Sequence, residues 1–452
     1  MKLISYRPWL LLLLGLTAFP VVWAQVTGGD TAAPLLTLDE ALRIAVRGNR
    51  DIQISGLNVT KAQELVTQAR TNYLPNFQTF VLAGWPLQSV NFTIPAGTLG
   101  TFPATGPIPA KNTPIQSPVQ FGALISGSAT QPLTQIYKVS LAVEQARFGI
   151  GLAKEGLRGQ EQETARQVKE AYYQVAQLQA QVASAKAAVQ ALIELSKLTE
   201  QRLSQETVLA SDSLSVNAKL KQQRYQLLVT QDAFEVQKQN LNRLLGRDLR
   251  TPFSVEMPPF GTLAEWDLEA ARKQALEQRP ELGEARFQTK IAHMDVRRER
   301  AKYIPDFGVQ VGYLGFQNMT FLPQNGGYAG FVFQWQPFDW GYKKHRIVEL
   351  KATTEQKALA EQDAEQRVLL EVEDKFRKLG EARMLLEAQA DQREAEQVRL
   401  REVTNRYNQQ AALLSDLLQQ QATVSQAEAQ YQQALAGFWT ARAEFERAIG
   451  SE

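Results

Sequence analysis

The chain contains the same pattern of residues twice, and this internal repeat constrains its fold more than any other feature. Residues 73–77 have the sequence Tyr-Leu-Pro-Asn-Phe, and residues 303–307, 230 positions later, have Tyr-Ile-Pro-Asp-Phe. Residues 131–133 (Gln-Pro-Leu) likewise match residues 336–338 (Gln-Pro-Phe). A repeat of this length indicates one architecture with internal pseudo-symmetry. The predicted segments are a first repeat at 25–246, a linker at 247–264 and a second repeat at 265–450.

The first 24 residues have the pattern of a secretory signal peptide. Lys2 and Arg7 are basic, an apolar stretch runs to about Pro20, and small residues lie near Ala24. An uncleaved anchor is the alternative, but the apolar run is shorter than the ~20 residues that span a bilayer. No later stretch is apolar enough for a membrane helix, so a membrane crossing by the exported chain has to use strands.

Composition excludes several chemical functions. The chain has no cysteine, which excludes disulfides, thiolate metal sites and a cysteine nucleophile. Its 49 basic and 47 acidic residues are balanced and interspersed, so nothing points to nucleic acid. The two histidines, His293 and His345, lack partners at metal-binding spacing. We find no isolated acidic pair for general acid–base catalysis and no phosphate-binding glycine loop. The sequence therefore predicts neither an enzyme nor a bound cofactor or metal.

After each Tyr-Leu-Pro or Tyr-Ile-Pro segment, the apolar period changes from helical to two. The alternation predicts strands at about 76–86 and 119–131 in the first repeat, and at about 306–316 and 328–337 in the second. Strands of ~10 residues cross a membrane when tilted. One predicted face is apolar and carries the aromatic residues Phe77, Trp85, Phe307, Tyr313, Phe331, Phe333 and Trp335. The opposite face carries small polar residues, among them Ser126, Ser128 and Thr130.

A half-buried sheet in a soluble protein would show the same alternation. Two observations favour the membrane: the sequence shows only four such strands, and their neighbours are not apolar enough to cover them. The segment 86–118 between the first two strands is rich in Pro, Gly and Thr and nearly uncharged, so we expect an exposed excursion there.

Two long helices follow the strands, at about 134–203 and 340–406. Each corresponds to ~100 Å of helix. In the first, apolar residues step by three and four from Val168 to Leu192, and Val424 to Ala448 shows the same heptad seam. We expect long antiparallel coiled coils. Four strands cannot close a barrel, so the chain has to oligomerise; two copies would supply eight strands and three would supply twelve, and strand counting alone does not choose.

These motifs resemble the TolC-type outer-membrane efflux proteins. The resemblance covers about residues 36–450 and rests on Leu-Thr-Leu-Asp-Glu-Ala-Leu at 36–42 with Asn49, the two proline turns before the strands, and the pairs Ser211-Asp212 and Ser415-Asp416. It implies a mainly α fold with a membrane β-barrel portion: a homotrimer with a shared twelve-stranded barrel in the outer membrane and an α-barrel in the periplasm. It also implies a passive exit duct for tripartite efflux or type I secretion, partnered by a periplasmic adaptor and an inner-membrane transporter.

The resemblance further implies where such a duct closes and docks. The gate positions at the periplasmic end correspond to Asp416, Gln419 and Asp212, although an N-cap is an equally good expectation for Asp212. The tip turns that would contact the adaptor contain Gln205, Glu206, Thr207, Gln409, Gln410 and Ala411. This chain departs from the family pattern at Glu206 and Gln410, which replace glycine, at Ala412, which replaces a basic latch residue, and at Gln419, which replaces an acid.

The alternative function is a soluble periplasmic coiled-coil scaffold or adaptor, which would share the export signal and the heptads. An adaptor is expected to have a compact β-rich domain and an inner-membrane anchor, and the sequence shows neither. A scaffold would also gain nothing from an outward row of Phe331, Phe333 and Trp335. The sequence does not indicate the transported substrate or the class of pump.

Overall fold

The computed structural model describes residues 34–205, 209–260, 266–318, 324–409 and 411–451. The predicted signal peptide, residues 1–24, lies outside these ranges. The helices are α1 (Leu38–Gly48), α2 (Arg50–Thr71), α3 (Gln135–Ser204), α4 (Ala210–Leu244), α5 (Leu268–Gln278), α6 (Pro280–Ala301), α7 (Tyr342–Asn408) and α8 (Leu414–Ala448). The strands are β1 (Asn76–Gly84), β2 (Val90–Ile94), β3 (Thr101–Phe102), β4 (Gly106–Pro107), β5 (Thr113–Ser117), β6 (Gly122–Pro132), β7 (Asp306–Gln317) and β8 (Asn325–Gln334).

Both repeats start with a short helix followed directly by a longer one. In the first, Thr37 Oγ1 accepts a hydrogen bond from the Glu40 amide at 3.3 Å and caps α1. Asn49 Oδ1 accepts from the Asp51 amide at 2.9 Å and caps α2, while its Nδ2 donates to the Leu244 carbonyl at 2.8 Å. Asn49 thus joins the break between α1 and α2 to the end of α4.

One antiparallel sheet combines strands from both repeats, in the order β1-β6-β7-β8. Within each repeat the first strand pairs with the last, as in Asn76 opposite Thr130 and Asp306 opposite Gln334. The β6–β7 ladder, with Ala129 opposite Val311, joins the two repeats. Strands β1 and β8 form the outer edges, and neither has a second neighbour among the named strands of this chain.

The segment 86–118 is more regular than the sequence analysis predicted. The segment is mostly exposed, as expected, but it also forms two small antiparallel ladders, β2–β5 and β3–β4, so the described residues contain eight strands and not four. The chain turns at Gly97, Gly100 and Gly106, which have φ between 73° and 105°, a region that favours glycine. The high Pro and Gly content concealed the short alternation Val-Asn-Phe-Thr-Ile of β2 from the period count.

The helices form a layer that continues from the sheet, with α3 at its centre. The half of α3 nearest the sheet packs between α2 and α6, and Gln145 donates to Asp295 of α6 at 2.7 Å. Its far half packs between α4 and α8, where Lys169 pairs with Glu446 of α8 at 2.7 Å. α7 follows the same plan with α6 and α8. With 70 residues, α3 is about 105 Å long.

Heptad positions along the long helices form much of the core. The buried seam positions of α3 are Val168, Ala171, Val175, Val182, Val189 and Leu192. Those of α8 are Ala427, Ala434, Phe438, Phe445 and Ala448. Within the described ranges, no helix is both long enough and apolar enough to cross a membrane.

Glycines allow α4 and α8 to end in direct contact with the short helices. Gly246, at φ 71°, follows α4 so closely to Gly48 that an added Cβ would lie 1.9 Å from the Gly48 carbonyl oxygen. Gly450, at φ 74°, follows α8 and approaches the Gln278 backbone in the equivalent position, with an added Cβ at 3.0 Å. Neither position accepts a side chain without moving the backbone.

An ion cluster ties α3, α6, α7 and α8 together near the middle of the helical layer. Arg447 contacts Glu163 at 3.2 Å, Glu371 at 3.1 Å and Glu281 at 3.5 Å. Arg279, whose side chain is only 4% exposed, contacts Glu281 at 3.0 Å and Glu371 at 2.7 Å. Glu281 and Glu371 each contact both arginines, so these two acids share the same pair of cations.

The Glu163 carboxylate shows the electrostatic effect of this cluster. Burial alone would raise its pKa, but hydrogen bonds from Arg166 and Gln167 and the charges of Arg166 and Arg447 outweigh burial, so the pKa lies below its ordinary value of 4.5. The ionised form is therefore favoured in the folded state. Its contribution to stability is present above pH 4.5 and is lost as the pH falls through the lowered pKa.

We expect Arg447→Met to lower the free energy of unfolding by about 2 kcal/mol at pH 7, because three partly buried carboxylates would lose a shared cation. Arg383→Met is the matched control: Arg383 and Glu387 are both about half exposed, so its loss should cost at most about 0.5 kcal/mol. Thermal unfolding of the detergent-solubilised protein, followed by circular dichroism, measures both. The Arg447 effect should shrink at pH values well below 4.5, and a constant effect there would contradict the electrostatic explanation.

Candidate functional site

The far end of the helical layer consists of two helix-to-helix turns, α3–α4 and α7–α8. Gln205 follows α3 as its C-cap, and Gln409 follows α7 in the same way. Both are exposed, as is Ala411, whose amide donates to the Arg406 carbonyl at 2.8 Å. Of the predicted tip residues, Glu206, Thr207 and Gln410 lie outside the described residues.

Asp212 and Asp416 occupy equivalent positions in the two turns, at the third residue of α4 and of α8. Asp416 is exposed, and its Oδ2 accepts a hydrogen bond from the Leu413 amide at 3.2 Å. This carboxylate therefore caps the start of α8. The expectation that Asp212 is the N-cap of α4 is wrong, because the N-cap is Leu209 and Asp212 lies inside the first turn of the helix. A negative charge in the first helical turn still interacts favourably with the helix dipole.

The predicted gate residue Gln419 and the predicted latch position Ala412 lie in the same turn of the second repeat as Asp416. Gln419 is exposed one turn beyond Asp416, and Ala412 lies half-buried just before α8. An alanine side chain has no charge or hydrogen-bonding group. Ala412 therefore cannot supply the positive charge of a basic latch residue.

A contact that the sequence analysis missed links the two turns. Arg202, near the end of α3, donates to the Tyr407 hydroxyl at 3.1 Å, and its guanidinium lies 5.4 Å from the Tyr407 ring centre. Tyr407, near the end of α7, is 9% exposed. The two residues are 205 positions apart, and no local sequence pattern indicates that they meet. The contact ties one helical hairpin to the other immediately above the predicted gate.

The strand register sorts the sheet residues into two faces. Cross-strand partners lie on the same face, and Phe77, Phe307, Tyr313, Phe331 and Phe333 share one. Phe307 and Phe331 stack with ring centres 5.5 Å apart. Trp85 and Trp335 follow the last residues of β1 and β8, and Trp85 meets Phe121 at 4.9 Å. Most of this aromatic face is exposed, with Phe77 at 77% and Phe331 at 75%.

The opposite face of the sheet carries the predicted polar residues in its helix-proximal half. Thr130 lies between Asn76 and Gln310, and Ser128 lies between Gln78 and Gly312. Ser126 lies one step further, between Phe80 and Leu314, and the last row of this face is apolar. The face is therefore polar near the helices and apolar near the 86–118 segment.

Histidine and carboxylate placement gives no metal centre in the described part of the chain. No group of three or more His, Asp or Glu residues there could hold a metal ion. The arrangement instead offers three surfaces: an apolar sheet face suited to lipid, a partly polar opposite face, and a pair of helix turns at the far end.

Comparison with known proteins agrees with this geometry. Residues 271–451 match the family described as outer membrane efflux protein. No curated protein matches the chain significantly. Among solved structures, the outer-membrane channel OprN is 17% identical, with a TM-score of 0.70 and coverage of 92% of this chain and 90% of that one. The Campylobacter jejuni CmeC outer membrane channel is 12% identical, with a TM-score of 0.72 and coverage of 91% and 85%.

The Vibrio cholerae outer membrane protein VceC is 16% identical, with a TM-score of 0.67 and coverage of 92% of this chain and 96% of that one. Likeness at these identities shows a shared fold, and the family match covers the second repeat. The mainly α fold with an antiparallel sheet is thereby confirmed, and the family expectation is confirmed for the second repeat. The second repeat belongs to the outer membrane efflux protein family, and the described chain as a whole has the fold of outer-membrane channels.

Proposed function

We propose that three copies of this chain form an outer-membrane channel, the passive exit duct of a tripartite efflux or type I secretion system. Each copy contributes the four strands β1, β6, β7 and β8 to a shared twelve-stranded barrel, and its long helices continue the tube into the periplasm. The duct carries out no chemistry. Its partners are a periplasmic adaptor, an inner-membrane transporter and outer-membrane lipid.

The exposed sheet is the observation that supports this proposal most strongly. Its two faces differ as expected of a membrane barrel, with the aromatic face outward and the partly polar face, which is small and polar near the helices, inward. Its edge strands leave backbone N–H and C=O groups unpaired, which lipid does not tolerate. A ring of three copies pairs each β1 edge with a β8 edge of the neighbouring copy. The pseudo-symmetry of the repeats makes this assembly approximately sixfold.

The soluble scaffold or adaptor is the competing function. A soluble protein would expose Phe77, Phe331, Phe333 and Trp335 to water at a large hydrophobic cost. Fractionation separates the two functions: we expect the protein in the outer membrane fraction of cells that express it with its own N-terminus. Recovery in the soluble periplasmic fraction would exclude the duct.

A deletion tests the shared barrel. We expect the chain without residues 304–338 to lose trimers, because each copy would then lack β7 and β8. A chain without residues 90–117 is the matched control, since it removes a similar length but keeps all four barrel strands. Denaturing gels of unheated, membrane-extracted protein measure the trimer, and circular dichroism checks that helices persist. Trimers that survive the first deletion would contradict the shared barrel.

The periplasmic gate is proposed to lie at the two helix turns, with Asp416, Gln419 and Asp212 near the axis. The exposed positions Gln205, Gln409 and Ala411, together with Glu206, Thr207 and Gln410, are proposed to contact the adaptor. The Arg202–Tyr407 contact supports a closed arrangement, because it holds the ends of α3 and α7 together. Ala412 offers no charge for a latch, so this aromatic–cation contact is proposed to hold the hairpins together instead.

Two substitutions at Asp416 separate a gate charge from a helix cap. We expect Asp416→Ala to raise single-channel conductance in planar bilayers and to weaken block by multivalent cations. Asp416→Asn keeps an acceptor for the Leu413 amide but removes the charge, so it should also weaken cation block while leaving α8 capped. If Asn behaves like the wild type in cation block, Asp416 is only a cap and the proposed ring is wrong.

A further inference from the structure

We infer the residue pairing between neighbouring copies: β8 of one chain pairs antiparallel with β1 of the next, with Val332 opposite Leu82, Gln334 opposite Phe80 and Gly330 opposite Gly84. The inference rests on the proposed shared barrel and goes beyond it by specifying the register. It follows from the duplication. The β6–β7 ladder joins the two repeats inside one chain, and the equivalent ladder between neighbouring copies is β8–β1.

The first step is to align the strands of the two repeats by their own pairing. β1 corresponds to β7 with an offset of 230 residues, so Asn76 corresponds to Asp306. Asn76 faces Thr130 and Asp306 faces Gln334, so β6 corresponds to β8 with an offset of 204. The Gln-Pro pair at the end of β6 and the one that follows β8 differ by 205, which places one extra residue between β8 and its Gln-Pro pair. An offset of 205 within the strands would exchange the two faces and is excluded.

The second step transfers the observed β6–β7 register to the gap between chains. Ser128 faces Gly312, Thr130 faces Gln310 and Ser126 faces Leu314. Adding 204 to the β6 residue and subtracting 230 from the β7 residue gives the three pairs stated above. On the opposite face the same transfer places Phe333 opposite Val81, and Phe331 opposite Ala83.

The chemistry of these pairs is complementary. Phe333 and Val81 are 62% and 58% exposed in the single chain, and their pairing buries an aromatic ring against a β-branched side chain. Leu82, 61% exposed on the polar side of the sheet, gains Val332 as a neighbour. The transferred register therefore covers apolar residues on both faces of the two edge strands.

The helices give an independent indication of the same junction. Phe287 of α6 is packed over Gly151 of α3, and Asp295 of α6 contacts Gln145 of α3. The equivalents of Phe287 and Asp295 on α2 are Leu57 and Leu65, which are 67% and 49% exposed. These leucines lie on the face of α2 that the repeat relation directs toward α7 of the neighbouring copy.

Backbone hydrogen bonds identify the pair best suited to a disulfide. The Leu133 amide donates to the Phe307 carbonyl, so odd-numbered residues of β7 are bonded to β6, and Gly312 opposite Ser128 is a non-hydrogen-bonded pair. Its equivalent between chains, Val332 opposite Leu82, is then also non-hydrogen-bonded, with Cα atoms about 4.5 Å apart. That separation suits a disulfide.

The test uses paired cysteine substitutions, because the natural chain contains no cysteine. We expect Val332→Cys with Leu82→Cys to form covalent dimers and trimers after mild oxidation of outer membranes, seen on non-reducing denaturing gels. The controls are Val332→Cys with Phe80→Cys and Val332→Cys with Gly84→Cys, on the same face but displaced by two residues. Their Cβ atoms would be about 7 Å apart, so cross-linking should fall roughly fivefold or more.

The outcomes separate the register from the proposed function. Stronger cross-linking of either displaced pair would overturn the register while leaving the shared barrel intact. If none of the pairs cross-links but unheated gels still show trimers, the register is also wrong. If the cysteine-free protein itself shows no trimers, the proposed barrel fails, and the register with it.

Discussion

The unpaired backbone of two edge strands is the constraint on which the rest of the architecture depends. A four-stranded sheet with one aromatic face belongs in lipid, and lipid does not accept free N–H and C=O groups at β1 and β8. The chain cannot satisfy these groups with its own named strands. In the proposed barrel, oligomerisation pairs these groups, and the duplicated sequence makes the joint between copies equivalent to the joint within a copy.

In the proposed channel, the helical layer continues the barrel as a tube. α3 changes partners halfway along its length, from α2 and α6 near the sheet to α4 and α8 beyond it, and α7 packs on α6 and α8 in the same way. The Arg279–Arg447 cluster lies where this exchange occurs and connects four helices through shared carboxylates. The two repeats differ at the residue before their second helix, because Asn49 of the first repeat corresponds to Arg279 of the second. A neutral cap in one repeat is therefore a charged centre in the other.

Much of the fold could be predicted from sequence, because periodicity reports directly on burial. The change of period after Pro75 and Pro305 located the barrel strands, and the heptads located the long helices. The ladders within 86–118 were missed because their strands are too short for a period to emerge between Pro and Gly residues. The Arg202–Tyr407 contact was missed because hydrogen bonds across hairpins leave no local pattern. Asp416 was singled out from its family position, and its cap on α8 depends on backbone geometry that sequence spacing does not specify.

The close approach of Gly246 to Gly48, and of Gly450 to Gln278, has a mechanical consequence. Backbone packed directly against backbone has no side chain to adjust, so these contacts act as fixed pivots at one end of α4 and α8. Each of those helices has 35 residues, or about 52 Å, between its pivot and its tip. A tilt of about 10° at the pivot therefore moves the tip by about 9 Å. In the proposed duct, the glycine contacts would be the pivots from which such a tilt widens the end formed by the helix turns.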